Sequence, residues 1–204
     1  MRWYFIGQFA QLTEYKNNIL YKLITNENLL KALVINLDKI GNILSNIGNK
    51  LIENKTLMRC ITYDTPNALS SSLPDISIEE IIKLTGKGVN PSNEQRIYKC
   101  PFNNNIIDEI RSEIRFFIPK LKPENLYISK INIGFEVITY NTLVDLEDNK
   151  LRYLVMIQEI LNSLNGYDCG GIGLLYLTEN SSINIVNYNH KFSGYTFFLS
   201  TRVT

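Results

Sequence analysis

Residues 126–140 read LYISKINIGFEVITY. Ile131, Ile133, Phe135 and Val137 alternate with Lys130, Asn132, Gly134 and Glu136. A period of two sends successive side chains to opposite faces, so this segment is a strand with one face on a core. The other face meets solvent or a partner. Downstream, LRYLVMIQEILNSL (151–164) changes the period. Leu151, Leu154, Ile157, Leu161 and Leu164 step by 3, 3, 4 and 3, with Ile160 broadening the stripe. That spacing predicts an amphipathic helix. Asp145 or Asp148 is its expected N-cap, and the neighbouring acids favour the positive end of the helix.

GYDCGGIG (166–173) follows, with four glycines in eight positions. A phosphate cradle needs a strand before the glycines and a helix after them, so that free N–H groups and the positive helix end face the anion. Here the order is reversed, and no Gly-Lys-Ser/Thr follows. Asn165 and Gly166 read as a left-handed helix stop, and Gly170, Gly171 and Gly173 turn the chain back. Beyond them, GLLYLTE (173–179) and INIVNYN (183–189) read as strands joined in a hairpin at Asn180 and Ser181. FSGYTFFLSTRV (192–203) closes the chain, with Tyr195, Phe197 and Leu199 alternating against Thr196, Phe198 and Ser200.

Upstream, IIDEIRSEIRFFIP (106–119) fits a helix ending near Arg111 and a strand to Ile118, closed by Pro119. PKLKPEN (119–125) then reads as a turn. Together these elements predict an α+β fold: a mostly antiparallel sheet with a long amphipathic helix across one face. N-terminal helices and a loop-rich insertion complete it. The expected division is 1–36 (arm and helix), 37–96 (helical and loop-rich insertion) and 97–204 (α+β core).

In the first part, TEYKNNILYKLI (13–24) offers Thr13 as an N-cap. Leu37, Ile40, Leu44, Ile47 and Leu51 step by 3, 4, 3 and 4 along a second helix, with Gly41 and Gly48 beside that seam. ISIEEIIKLT (76–85) is a short helix capped by Ser77, with Glu79 and Glu80 at its positive end.

The 204 residues carry 21 basic and 20 acidic side chains, a formal net charge of +1. So even a balance argues against a dedicated nucleic-acid binder and leaves room only for a local basic patch. Lys120, Lys122, Lys130, Arg111 and Arg115 are interleaved with Glu109, Glu113 and Glu124, which reads as a solvated, ion-paired face. Cys60, Cys100 and Cys169 have no paired spacing, so neither a disulfide framework nor a zinc site is expected. His190, the single histidine, sits in a turn without a nucleophile or ligand beside it. Gln8 and Gln11 interrupt the apolar start before a signal peptide forms. No stretch approaches the ~18 apolar residues of a membrane span, so a soluble intracellular chain with no membrane partner is expected. Glu136 with Asp148 and Lys150 is the one arrangement open to a metal-dependent nuclease, two carboxylates for a cation and a lysine for the transition state. An adaptor using the loop-rich residues 62–105 is a further alternative.

Three stretches, IYKCPFNNNIIDEIRSEIRFFIP (97–119), INIGFEVITYNTLVDLEDNKLRYLVMIQEILNSLNG (131–166) and GIGLLYLTENSSINIVNYNHKFSGYTFFLSTR (171–202), carry a family likeness. Their order of strand, acidic loop, Arg-bearing helix, glycine turn and closing strands resembles the neck proteins of tailed bacteriophages: head–tail connectors, head-completion proteins and tail terminators. The segment from about Leu37 to Asn93 lies outside the likeness. The resemblance implies a non-enzymatic virion protein, assembled in the host cytoplasm, with no catalytic, cofactor or metal residues. It implies a cyclic homo-oligomer of six or twelve copies between portal or adaptor and tail-tube proteins, with DNA passing through without sequence-specific contact. The aromatic ends, Trp3, Tyr4, Phe5 and Phe9 with Tyr195 and Phe198, are the expected interface anchors.

Overall fold

The computed structural model describes residues 41–86, 94–100, 109–125, 128–170, 173–177, 182–187 and 190–203. The helix expected from Thr13 and the aromatic group Trp3, Tyr4, Phe5 and Phe9 lie outside the described residues. In chain order there follow helix α1 (41–52), α2 (Lys55–Thr62) and α3 (Ile78–Thr85), then strands β1 (Ile97–Tyr98), β2 (Ser112–Pro123) and β3 (Ser129–Tyr140). A 3-10 turn (Asn141–Leu143) leads to α4 (Arg152–Leu164), and β4 (Tyr176–Leu177), β5 (Asn184–Asn187) and β6 (Phe192–Val203) close the chain. The fold is α+β, with a mixed, mostly antiparallel sheet of six strands.

The alternating strand is the centre of that sheet. β3 pairs antiparallel with β2 on one side and with β6 on the other along its whole length. Ile131, Ile133, Phe135 and Val137 are fully buried. At mid-sheet, Phe116, Phe135 and Phe197 stand in register on three adjacent strands. Their rings stack with centroids 6.2 and 5.2 Å apart, adding roughly 0.5–1.5 kcal/mol per pair beyond simple burial. Over this face lie Ile43, Ile47 and Leu51 of α1, Leu57, Met58 and Ile61 of α2, and Met156, Ile157, Ile160 and Leu164 of α4, all in one apolar cluster with the sheet. The helices before residue 97 thus share their core with the strands after it.

Two sequence expectations change here. The first concerns Pro119, which does not end β2. The strand continues to Pro123, and the register slips between Phe117 and Lys120. β1, parallel to β2, covers its outer side only at Ile114 and Arg115. At Pro119 no ladder donor is therefore required, which is how an edge tolerates proline. The turn comes later, where the N–H groups of Glu124 and Asn125 donate to the Ile128 carbonyl at 2.8 and 3.2 Å.

The second concerns α4, which is rotated from its expected stripe. Arg152, Met156, Ile157, Ile160 and Leu164 are buried, while Leu154 is exposed. Its N-cap is Leu151 rather than Asp145 or Asp148, and no side chain caps it. The Arg152 N–H donates to the Val144 carbonyl at 2.8 Å, so the loop backbone does the capping. α3 matches its expectation: Ser77 and Glu80 form a reciprocal capping box, and Gly86 ends the helix at φ 65°.

Gly194 lies where β6 passes close beside β3, opposite Ile138. A Cβ there would overlap the Val137 carbonyl oxygen and sit 3.0 Å from the Ile138 Cα, backbone atoms that cannot rotate away. Gly194→Ala should therefore lower stability by about 2–3 kcal/mol in a urea titration. Gly41→Ala should do the reverse. Its Cβ would meet nothing within 4 Å, so helix propensity adds up to about 1 kcal/mol.

Candidate interaction surface

The two short strands after the glycine turn do not pair with each other. Tyr176 and Leu177 face Ser200 and Leu199 of β6, and Asn184 to Asn187 face Thr196 to Ser193. β4 and β5 are thus two stretches of one edge strand laid end to end on β6, in place of the expected hairpin. β3 occupies the other side of β6, whose twelve residues are long enough to template both pieces. On β6 only Phe197 and Phe198 lie between the two paired stretches, and the expected turn residues Asn180 and Ser181 lie outside the described residues.

Among the described residues this edge is uncovered and carries several apolar side chains. Leu174, Tyr176, Leu177, Ile183 and Ile185 are exposed, Ile185 at 68%, and no further strand pairs outside them among the described residues. An edge strand presents a row of unpaired N–H and C=O groups, which natural sheets blunt with proline and lysine. The opposite edge follows that rule, since β2 beyond β1 carries Pro119, Lys120 and Lys122. Tyr176, Leu177 and Ile183 to Asn187 contain neither a charge nor a proline. A second apolar stripe, Ile78 and Ile82 one helical turn apart on α3, is also exposed.

Strand pairing divides the expected basic face in two. Arg111, Glu113 and Arg115 are buried, not solvated. Arg111 donates through Nε and Nη2 to Glu113 Oε1 at 2.8 and 2.5 Å, and Arg115 Nη2 donates to Glu113 Oε2 at 3.0 Å. Tyr98 completes the network, its hydroxyl accepting from Arg111 at 3.2 Å. Burial, followed by the Glu113 charge, raises the Tyr98 pKa. Glu136 lies beside this cluster, 3.9 Å from Arg115. Asp148 instead pairs with Lys150 in the exposed turn before α4, and the hydrogen bond from Lys150 lowers its pKa. The three residues of the nuclease alternative thus divide between two ion-paired settings. Among the described residues no group of three or more His, Cys, Asp or Glu could hold a metal ion.

The other candidates among the described residues lie in different settings. Tyr195 is half-buried, its ring 5.0 Å from that of Tyr153 on α4. Phe198 is half-buried on the opposite face, where it and Phe117 flank Gly134. His190 is exposed, and its backbone carbonyl accepts from Asn141 at 3.0 Å. Burial pushes the Cys60 thiol up to about 11 and the Cys169 thiol up to about 12, so both stay protonated and unreactive near neutrality.

One residue went unnoticed in the sequence. Arg152 is fully buried, donating to the carbonyls of Leu143, Cys60 and Tyr63 at 2.8 Å each and of Thr65 at 2.5 Å. It joins α4 to the C-terminal end of α2, where unpaired carbonyls and the helix dipole favour a cation. Desolvation lowers its pKa.

Among the described residues no helix is long and apolar enough to cross a membrane. No curated protein matches the chain. A family model named YomW matches residues 54–201, from the start of α2 almost to the end of β6 and well over half of the sequence. The chain belongs to the YomW family, whose name is a phage-derived gene name from an SPbeta-like prophage, in keeping with a phage origin.

Proposed function

We propose that this chain is a non-enzymatic structural protein of a tailed-phage virion, a subunit of a ring in the neck that joins portal and tail or terminates the tail tube. The observation that carries the reading is the unguarded β4/β5 edge. An exposed edge with apolar side chains and no lysine or proline is an aggregation hazard unless a partner covers it, and a neighbouring copy of the chain is the partner that makes it useful. Ring closure requires a head-to-tail contact between two different patches. The exposed stripe of Ile78 and Ile82 supplies a second apolar surface on a separate element. The phage-derived name of the family and the order of elements in 97–202 support the same reading.

Light scattering on a sizing column tests it. The wild-type chain should elute as a closed assembly of six or twelve copies. Ile185→Lys should reduce it to a folded monomer, since the side chain is already exposed and a lysine there blunts the edge. Ile78→Lys should do the same from the other patch. Mixed together, the two variants should stop at pairs, because each retains one live surface. A wild-type monomer at every concentration, or an Ile185→Lys ring of unchanged mass, would refute the proposal.

A further inference from the structure

At one end of the sheet, three cations stand directly opposite one another on adjacent strands. Lys122 of β2 faces Lys130 of β3, and Lys130 faces Arg202 of β6. Register partners share a face, so all three project from the side away from the apolar core. The next row on that face is Lys120, Asn132, Ser200 and Tyr176, again in register across four strands. Within it Ser200 donates to Asn132 at 2.9 Å. Among the described residues the one acid paired with any of these cations is Glu124, 3.0 Å from Arg202 Nε. Lys120, Lys122 and Arg202 are exposed and Lys130 is half-buried. Beside the row lies a cleft of about 340 Å³ lined by Lys130, Gly173, Leu174, Tyr176, Ser200 and Arg202.

Like charges directly opposite on neighbouring strands oppose folding, so packing gives no reason for this row. An outside anion does. We infer that the Lys122–Lys130–Arg202 row, with Lys120, is a binding surface for the phosphate backbone of nucleic acid, without sequence readout. Lysine is depleted at protein–protein interfaces and is a common contact to phosphate oxygens. A lysine-dominated row therefore fits a polyphosphate better than an acidic protein. No base-reading group is needed for such contact, and the row's hydroxyl and amide side chains, Ser200 and Asn132, already bond to each other. The near-zero net charge of the whole chain hid the patch, because the balancing acids lie elsewhere, several of them in the buried cluster and on α3. The inference is independent of ring assembly, since one copy carries the complete row.

Anisotropy of a fluorescein-labelled 20-base-pair duplex, titrated with the full chain between 50 and 200 mM KCl, tests it. Four phosphate contacts predict a slope of log K against log[salt] between about −3 and −4, or roughly a hundredfold loss of affinity across that range. Lys122→Gln with Lys130→Gln should make the slope shallower by about 2. Its thermal midpoint should be unchanged or higher, because repulsion is relieved. Lys55→Gln, whose lysine pairs with Asp75 on α2's side of the molecule, should leave the slope unchanged. Absence of binding at 50 mM, or an unchanged slope in the double variant, would overturn the inference. So would capture of polyglutamate in preference to the duplex, which would make the row a docking site for acidic protein. Ile185→Lys, run alongside, separates this result from the ring: loss of assembly without loss of the two-lysine effect would leave the inference standing alone.

Discussion

Replacing Arg152 by Met should destabilise the chain by roughly 3–5 kcal/mol, with a fall of about 10–15 °C in the thermal midpoint. Methionine fills similar space, so the loss reports hydrogen bonds and charge more than a cavity. Four carbonyl oxygens, from Leu143, Cys60, Tyr63 and Thr65, lose their shared donor at once. Each buried acceptor left unpaired costs about 1–3 kcal/mol, reduced where water enters. The C-terminal end of α2 also loses its compensating positive charge. Arg152→Lys should recover only part of the loss, because one ammonium cannot span carbonyls that a planar guanidinium reaches from three nitrogens. Urea unfolding followed by circular dichroism measures both variants. A loss below 1 kcal/mol for Arg152→Met would show that the clamp is not a structural keystone.

Glu113→Leu should have a comparable effect, again roughly 3–5 kcal/mol. Its carboxylate bridges Arg111 and Arg115, each at most 3% exposed. Without it two buried guanidiniums repel across the gap. Burial alone would lower the Arg111 pKa, yet the pKa is raised because Glu113, foremost, with Tyr98 and Glu109, outweighs that penalty. The decisive comparison is the triple variant Arg111→Met, Glu113→Leu, Arg115→Met. Replacing a whole buried ion cluster by apolar side chains is often neutral or stabilising, whereas removing one member is not. The triple should therefore be more stable than Glu113→Leu by at least about 2 kcal/mol. If the losses simply add, the three residues do not act as a unit.

The sequence made the centre of the fold legible because β3 and β6 each have one buried face, and a period of two survives in the text. It misled wherever a polar residue had been taken inside. Leu154 looked like a stripe residue and Arg152 drew no reading of its own, but the demand of four carbonyls turned α4 so that Arg152 went in and Leu154 out. Arg111, Glu113 and Arg115 are spaced two apart, and on a strand that places them on one face. The signal was present, but the interleaved charges were read as a solvated, ion-paired face. Pairing that depends on distant segments was not readable. β4 and β5 lie on β6 and not on each other, and the cation row needs the register of strands that begin eighty residues apart. GYDCGGIG, by contrast, behaves as its order implied. Gly166 stops α4 at φ 80°, and Gly170 and Gly173, at φ 103° and 109°, return the chain to the sheet edge.

Electron microscopy of the purified assembly tests the central claim most directly. The account predicts closed rings with a central opening and six or twelve subunits, the β4/β5 edge of each subunit lying against its neighbour. Ile185→Lys should leave no rings on the grid. Isolated monomers, two-fold dimers or open filaments from the wild-type chain would contradict it.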